Sequence, residues 1–133
     1  MHPGGPFYKF KDDGVWSIPK GEFDKEDALN AAQREFKEET GTTPFGKFIP
    51  LAPIILKSGK RVYAWAVHFD FDEKLLHSNT FELEWPKGSG GKQNFPEVDR
   101  GGWFEFTAAK KKIAKAQASF LDEAMAYIQN KCL

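Results

Sequence analysis

The run Arg34-Glu35-Phe36-Lys37-Glu38-Glu39-Thr40-Gly41 places three glutamates within one turn of a helix. Residues three and four apart on a helix are neighbours, and like charges at that spacing cost about 0.2–0.5 kcal/mol per pair unless a cation sits between them. Three carboxylates this close ask for a divalent cation. Oxygen-only ligands suit magnesium or manganese rather than zinc. At about 100° per residue, Leu29, Ala32 and Phe36 form an apolar stripe, and Glu35, Glu38 and Glu39 form an acidic stripe beside it. Such a helix anchors on one side and coordinates on the next.

Its ends are marked. Asp24 reads as the N-cap with Asp27 in the capping-box position, and Gly41 fits the left-handed position that closes a helix, giving a span of residues 25–40. Arg34 stands one residue before Glu35 and four before Glu38, so a forked, charge-assisted bond from its guanidinium orients a carboxylate.

At 133 residues the chain fits a single domain (1–133), with thirteen Phe and four Trp to supply a core. Formal charge is zero and the isoelectric point is about 6.8. No global field therefore draws the protein to nucleic acid or an anionic membrane, and any anionic ligand must be held locally. Only Cys132 is present, which excludes an internal disulfide and points to a reducing compartment. No apolar run has the length of a membrane span, and the N-terminus lacks a basic-then-apolar leader. The localisation expected is cytoplasmic.

Residues 1–13, rich in Gly, Pro and Lys, read as an irregular approach to a short strand over 15–18. Two alternating apolar runs within residues 47–71 flank Lys57-Ser58-Gly59-Lys60, a hairpin tip. Tyr63, Trp65, Val67, Phe69 and Phe71 share one face of the second run, which predicts that this face is buried. Phe81, Leu83 and Trp85 repeat the alternation, a Gly-rich loop covers 87–92, and 102–106 reads as a further strand. The C-terminal segment reads as helix in two pieces, divided where Ser119 and Asp122 make a capping signal, with Phe120, Leu121, Ala124 and Ile128 on the apolar face. Strands on either side of a central helix, with a terminal helix opposite, predict an α/β (α+β) fold: an α/β/α sandwich with a mixed sheet.

Other constellations carry less. His2, His68 and His77 have no paired metal spacing and read as surface or edge residues. There is no Gly-x-Ser-x-Gly elbow and no Gly-rich Lys-Ser/Thr phosphate loop. Lys110, Lys111, Lys112 and Lys115 read as a solvated basic face. The loop from Gly88 to Gly91, bounded by Lys87 and Lys92, reads equally as a surface turn or a phosphate-covering flap.

The acidic run resembles the signature of the Nudix hydrolases: Gly, five residues, Glu, seven residues, then Arg-Glu-U-x-Glu-Glu-x-Gly-U, with U a bulky apolar residue. Gly21, Glu26, Arg34, Glu35, Phe36, Glu38, Glu39 and Gly41 stand for its elements. Twelve residues separate Gly21 from Arg34 where the pattern has thirteen, so either Glu26 or Asp27 takes the first acidic place; Thr42 holds the last apolar one. Residues 2–7, 79–86 and 95–100 also resemble a bacterial Nudix subgroup of pyrophosphohydrolases. Relatives there carry a strand upstream of His2-Pro3-Gly4-Gly5. The resemblance thus implies a missing N-terminal strand, filled by a rearranged segment or by pairing in a homodimer.

The resemblance implies a magnesium- or manganese-dependent hydrolase that cleaves a diphosphate linkage in a nucleoside diphosphate derivative. Nucleoside triphosphate, dinucleoside polyphosphate and ADP-ribose all remain open as the substrate. It implies that Glu35, Glu38 and Glu39 hold metal with the Gly21 carbonyl, that Glu35 or Glu97 is the base, and that Lys20 contacts phosphate. Glu97 enters because a further carboxylate in the family often comes from a loop ahead of a Trp-bearing strand, here Trp103; Glu82 and Glu84 compete for that role. A catalytically weak or inactive Nudix-like nucleotide-binding module is the alternative, against which the intact glutamates argue.

Overall fold

The computed structural model describes residues 1–23 and 26–131. Its strands pair two by two. β1 (His2–Pro3) lies antiparallel to β8 (Val98–Arg100), and β2 (Ile49–Pro50) to β5 (Trp65–Ala66). β3 (Ile54–Ile55) pairs with β4 (Arg61–Val62), and β6 (Thr80–Glu84) with β7 (Lys92–Pro96). A single bridge, Trp16 with Ile113, runs parallel, so both pairing directions occur. With α1 (Ala28–Thr40), α2 (Phe106–Lys112) and α3 (Ala118–Lys131), the chain is α+β as its pattern predicts.

The predicted hairpin at 57–60 is present, with Leu56 N–H donating to Lys60 O at 2.8 Å. β2–β5 and β3–β4 are two stretches of that one hairpin. The ladder runs on past Pro50, with Leu51 N–H donating to Ala64 O at 2.9 Å, and after Pro53, which has no N–H to give, it resumes at Ile54.

Several expectations change. β1 arises within a segment expected to be irregular, whereas the expected 87–92 loop is present and closes a second hairpin by leading into β7: Trp85 N–H donates to Gly91 O at 3.0 Å. Residues 102–105 form no strand, and Phe106 instead opens α2. The C-terminal helices divide at Ile113 and Ala114, not at Ser119. There the chain leaves the helix to pair with Trp16, whose N–H donates to Lys112 O (2.9 Å) and whose O accepts from Ala114 N–H (2.8 Å).

The core gathers at this junction. Trp16, Ile113 and Phe120 are buried, together with His2 and Gln117. His2 is wholly enclosed rather than at the surface, its Nδ1 facing both Asp99 carboxylate oxygens (2.9 and 3.0 Å) and its Nε2 donating to Lys11 O (2.7 Å). Burial is tolerated because both ring nitrogens are partnered. Of the phenylalanines, Phe120 alone is fully enclosed among the described residues. The face bearing Trp65, Val67, Phe69 and Phe71 is half-buried, and Tyr63 is exposed. Its rings pack edge-on instead: Phe36 of α1 meets Phe69 (6.0 Å between centroids) and Phe71 (5.0 Å), and Phe45 caps Phe69 at 5.3 Å. Ile128 is exposed at the far end of α3.

Candidate active site

Helix α1 begins at Asp27, whose carboxylate accepts from Asn30 N–H at 3.3 Å. The cap is thus three residues later than predicted, and Asp24 and Lys25 lie outside the described residues. Gly41 ends the helix as predicted, at φ 72°, with its N–H on Lys37 O at 2.8 Å. The buried stripe runs through Ala31 and Thr40, and Ala32 faces solvent. This rotation brings Glu35 and Glu39, one turn apart, partly inward and leaves Glu38 exposed.

Arg34 organises the acidic face. Its Nε donates to both carboxylate oxygens of Glu26 (3.0 and 3.2 Å), its Nη2 also bonds Glu26, and its Nη1 reaches Glu35 (2.9 Å) and Glu38 (3.3 Å). Glu26 therefore fills the first acidic place and Asp27 the cap. The Glu26 carboxyl is lowered by its Arg34 hydrogen bonds. Because Glu35 and Glu38 are drawn onto Arg34, no three His, Cys, Asp or Glu side chains among the described residues converge on one point.

The third glutamate differs. Glu39, Glu97 and Lys20 all line one cavity of about 420 Å³. Glu39 Oε2 is buried without a hydrogen-bond partner. Burial, then the charges of Glu35 and Glu97, push its carboxyl up to about 7, opposed by the Met1 nitrogen and Lys20. Its backbone is fixed, since Glu39 O accepts from His77 N–H at 2.8 Å.

Glu97 reaches the cavity from the corner between β7 and β8. Its N–H donates to Asn79 O (2.9 Å) and its O accepts from Gly4 N–H (3.0 Å), so the corner is pinned from both sides. Trp103, the expected landmark, lies in no strand; the β7–β8 corner does the positioning. Glu82 instead faces Lys92 across the hairpin at 3.3 Å, and Glu84 is exposed; neither lines the cavity. Gly21 packs against the Glu35 side chain so closely that a Cβ there would overlap its carboxylate.

Glu39 alone of the three glutamates lines the cavity, and it has an orphaned buried carboxylate oxygen, a donor of the kind that suits a hard divalent cation, while Glu35 and Glu38 are turned to Arg34. The basic run is otherwise engaged: Lys110 pairs with Asp122 (2.8 Å), Lys111 with Asp13 (3.6 Å) and Lys112 with Asp12 (2.5 Å).

The NUDIX domain family model matches residues 5–124. The chain belongs to the Nudix family. It is therefore a hydrolase of diphosphate linkages in nucleoside diphosphate derivatives. No curated protein and no solved structure matches it. In this Nudix domain no described helix is long and apolar enough to cross a membrane. The sequence did not single out Tyr8, Ser17 or Gln117, which also line the cavity. Only tertiary contact relates them to Glu39, and no spacing in the chain could.

Proposed function

We propose that this single domain is a magnesium- or manganese-dependent Nudix pyrophosphohydrolase whose reaction centre is the cavity lined by Lys20, Glu39 and Glu97. The observation that carries the reading is the unpartnered, buried carboxylate oxygen of Glu39, a residue that lines that cavity. Glu35, Glu38 and Glu39 would hold the cation with the Gly21 carbonyl, which requires Glu35 and Glu38, bonded to Arg34 in this structure, to turn toward Glu39. When bound, a divalent cation neutralises phosphate charge and makes water a better nucleophile.

The chain's own residues do the rest. Lys20 offers a mobile positive charge to the diphosphate. Glu97, held at a fixed corner, is placed to accept the proton of the attacking water, with Glu35 as the other candidate base. Arg34 keeps Glu35 and Glu38 on the acidic face through charge-assisted bonds. The same reading puts the protein in the cytoplasm and allows pairing of two copies through an exposed strand edge, which sedimentation at increasing concentration would detect.

The decisive measurement is phosphate or nucleotide release from nucleoside triphosphates, dinucleoside polyphosphates and ADP-ribose, with and without magnesium. Cleavage of at least one that stops on chelation supports the reading. Full activity in chelator, or full activity of Glu39→Gln at saturating magnesium, overturns it.

A further inference from the structure

Lys20, Gly21 and Glu22 are consecutive, and each meets a different part of the molecule. Lys20 lines the cavity, Gly21 lies against the Glu35 side chain, and Glu22 accepts a charge-assisted hydrogen bond from Lys60 Nζ. The loop itself is otherwise bare. Its last backbone anchor is Ile18 N–H on Gln117 Oε1 (3.0 Å), and the next, at Asp27, opens α1. Between them, no backbone group of residues 19–23 makes a hydrogen bond to another described residue. A segment with so few bonds opens easily unless something outside it holds it.

What holds it is the β3–β4 hairpin. Besides Lys60 on Glu22, Tyr63 meets Phe23 with 6.3 Å between ring centroids, so the two contacts bracket β4. The hairpin is itself fixed. Lys60 O accepts from Leu56 N–H (2.8 Å) and Lys60 N–H donates to Ser58 Oγ (3.4 Å), which sets the backbone beneath the ammonium. Upstream of β3, Ala52 N–H donates to both carboxylate oxygens of Glu123 on α3 (3.0 and 3.2 Å). Folding stability does not explain the Glu22–Lys60 pair. Their side chains are 83% and 52% exposed, and an ion pair that open adds little to the fold. A loop is more easily biased. When the ordered loop is only fractionally populated, ligands bind more weakly by that fraction, so a weak tether changes binding severalfold and leaves the fold alone.

We infer that Lys60 and Glu22 are positioning residues: their ion pair, with the Phe23–Tyr63 contact, holds the loop so that Lys20 stays at the cavity and Gly21 stays against Glu35. What the loop then binds is given by the hydrolase reading, on which this rests. A hairpin outside the acidic helix thus sets how tightly cation and diphosphate are held.

Steady-state hydrolysis by the full chain, measured across magnesium and substrate concentration, is the test. The substrate is the best cleaved among nucleoside triphosphates, dinucleoside polyphosphates and ADP-ribose. Glu22→Gln and Lys60→Met should each raise KM and the magnesium needed for half-activation by roughly threefold to fivefold, with kcat at saturation and Tm close to wild type. Glu22→Gln is the sharper variant: deleting a negative charge near an anionic substrate would by itself tighten binding, so weaker binding reports the loop. The swapped pair, Glu22→Lys with Lys60→Glu, should recover most of the loss, and Lys57→Met, on the same tip but outside the pair, should change nothing. Wild-type KM and magnesium dependence in Glu22→Gln overturn the assignment, as do a swap no better than the single variants or an equal loss from Lys57→Met. Tryptic cleavage after Lys20 reads the loop without turnover and should be roughly threefold to fivefold faster in both single variants. Faster cutting in a protein that cleaves no diphosphate keeps the tether and removes the reaction, whereas hydrolysis with unchanged cutting and unchanged KM does the reverse.

Discussion

Gly21 lies directly on the side chain of Glu35, near enough that a single added methyl group would occupy the space of the carboxylate. The two residues are fourteen positions apart and belong to a loop and a helix. Their contact explains why a glycine precedes the acidic helix: close approach demands it here, and the backbone at Gly21 does not have a positive φ.

Gly21→Ala is therefore expected to push Glu35 aside rather than unfold the protein. The obstructed atoms are the end of a flexible, partly exposed side chain, so loss of stability should stay below about 1 kcal/mol. Under the proposed reading, in which Glu35 holds metal, displacing its carboxylate by an ångström costs far more in rate, about a hundredfold in kcat/KM. Parallel thermal melts and kinetics check both; a large fall in Tm with unchanged kcat would reverse the argument.

Glu39→Gln should abolish hydrolysis yet stabilise the metal-free fold at neutral pH. The folded-state carboxyl titrates at about 7, above its ordinary 4.5. Between those values the folded chain keeps a proton that the unfolded chain has lost, so stability falls as pH rises through that window and stays reduced above it. After allowance for partial solvent access the penalty is roughly 1 kcal/mol. Urea unfolding in chelator should show the variant gaining that amount at pH 8 and nothing at pH 4.

Glu97→Gln should lower kcat with little change in KM, as expected for a group that acts in the transition state. Glu82→Gln serves as the comparison, since Glu82 faces Lys92 on the solvent side of the β6–β7 hairpin. Steady-state kinetics of both variants decide: a matching kcat loss from Glu82→Gln with none from Glu97→Gln would transfer the role.

Arg34→Lys should reduce activity by roughly tenfold or more while costing under about 1 kcal/mol of stability. One ammonium cannot reproduce a fork that spans Glu26, Glu35 and Glu38, whereas exposed ion pairs add little to folding. Higher magnesium is expected to restore part of the rate; a variant with wild-type kcat at low magnesium would show that Arg34 orients nothing.

Local rules were legible where the determinant is local. Gly41 ends its helix because only a residue free of a Cβ penalty adopts φ 72° readily, and the 57–60 tip forms because the turn residues and flanking alternation agree. Burial was less legible. Ala32 and Ala31 are chemically alike and adjacent, so only the docking of α1 decides which faces inward. His2 reads as a surface residue until Asp99 and Lys11, distant in sequence, supply both ring partners.

The sequence by itself determined the acidic helix, its end, its Arg34–glutamate chemistry and the family. Those follow from spacings of a few residues, which a helix converts directly into neighbours. Only the tertiary structure decided that Glu39 and not Glu38 lines the cavity, that Glu97 rather than Glu82 joins it, and that Tyr8 and Gln117 line it too. Each of those depends on how separate elements pack, and desolvation and long-range hydrogen bonding exist only after they have packed.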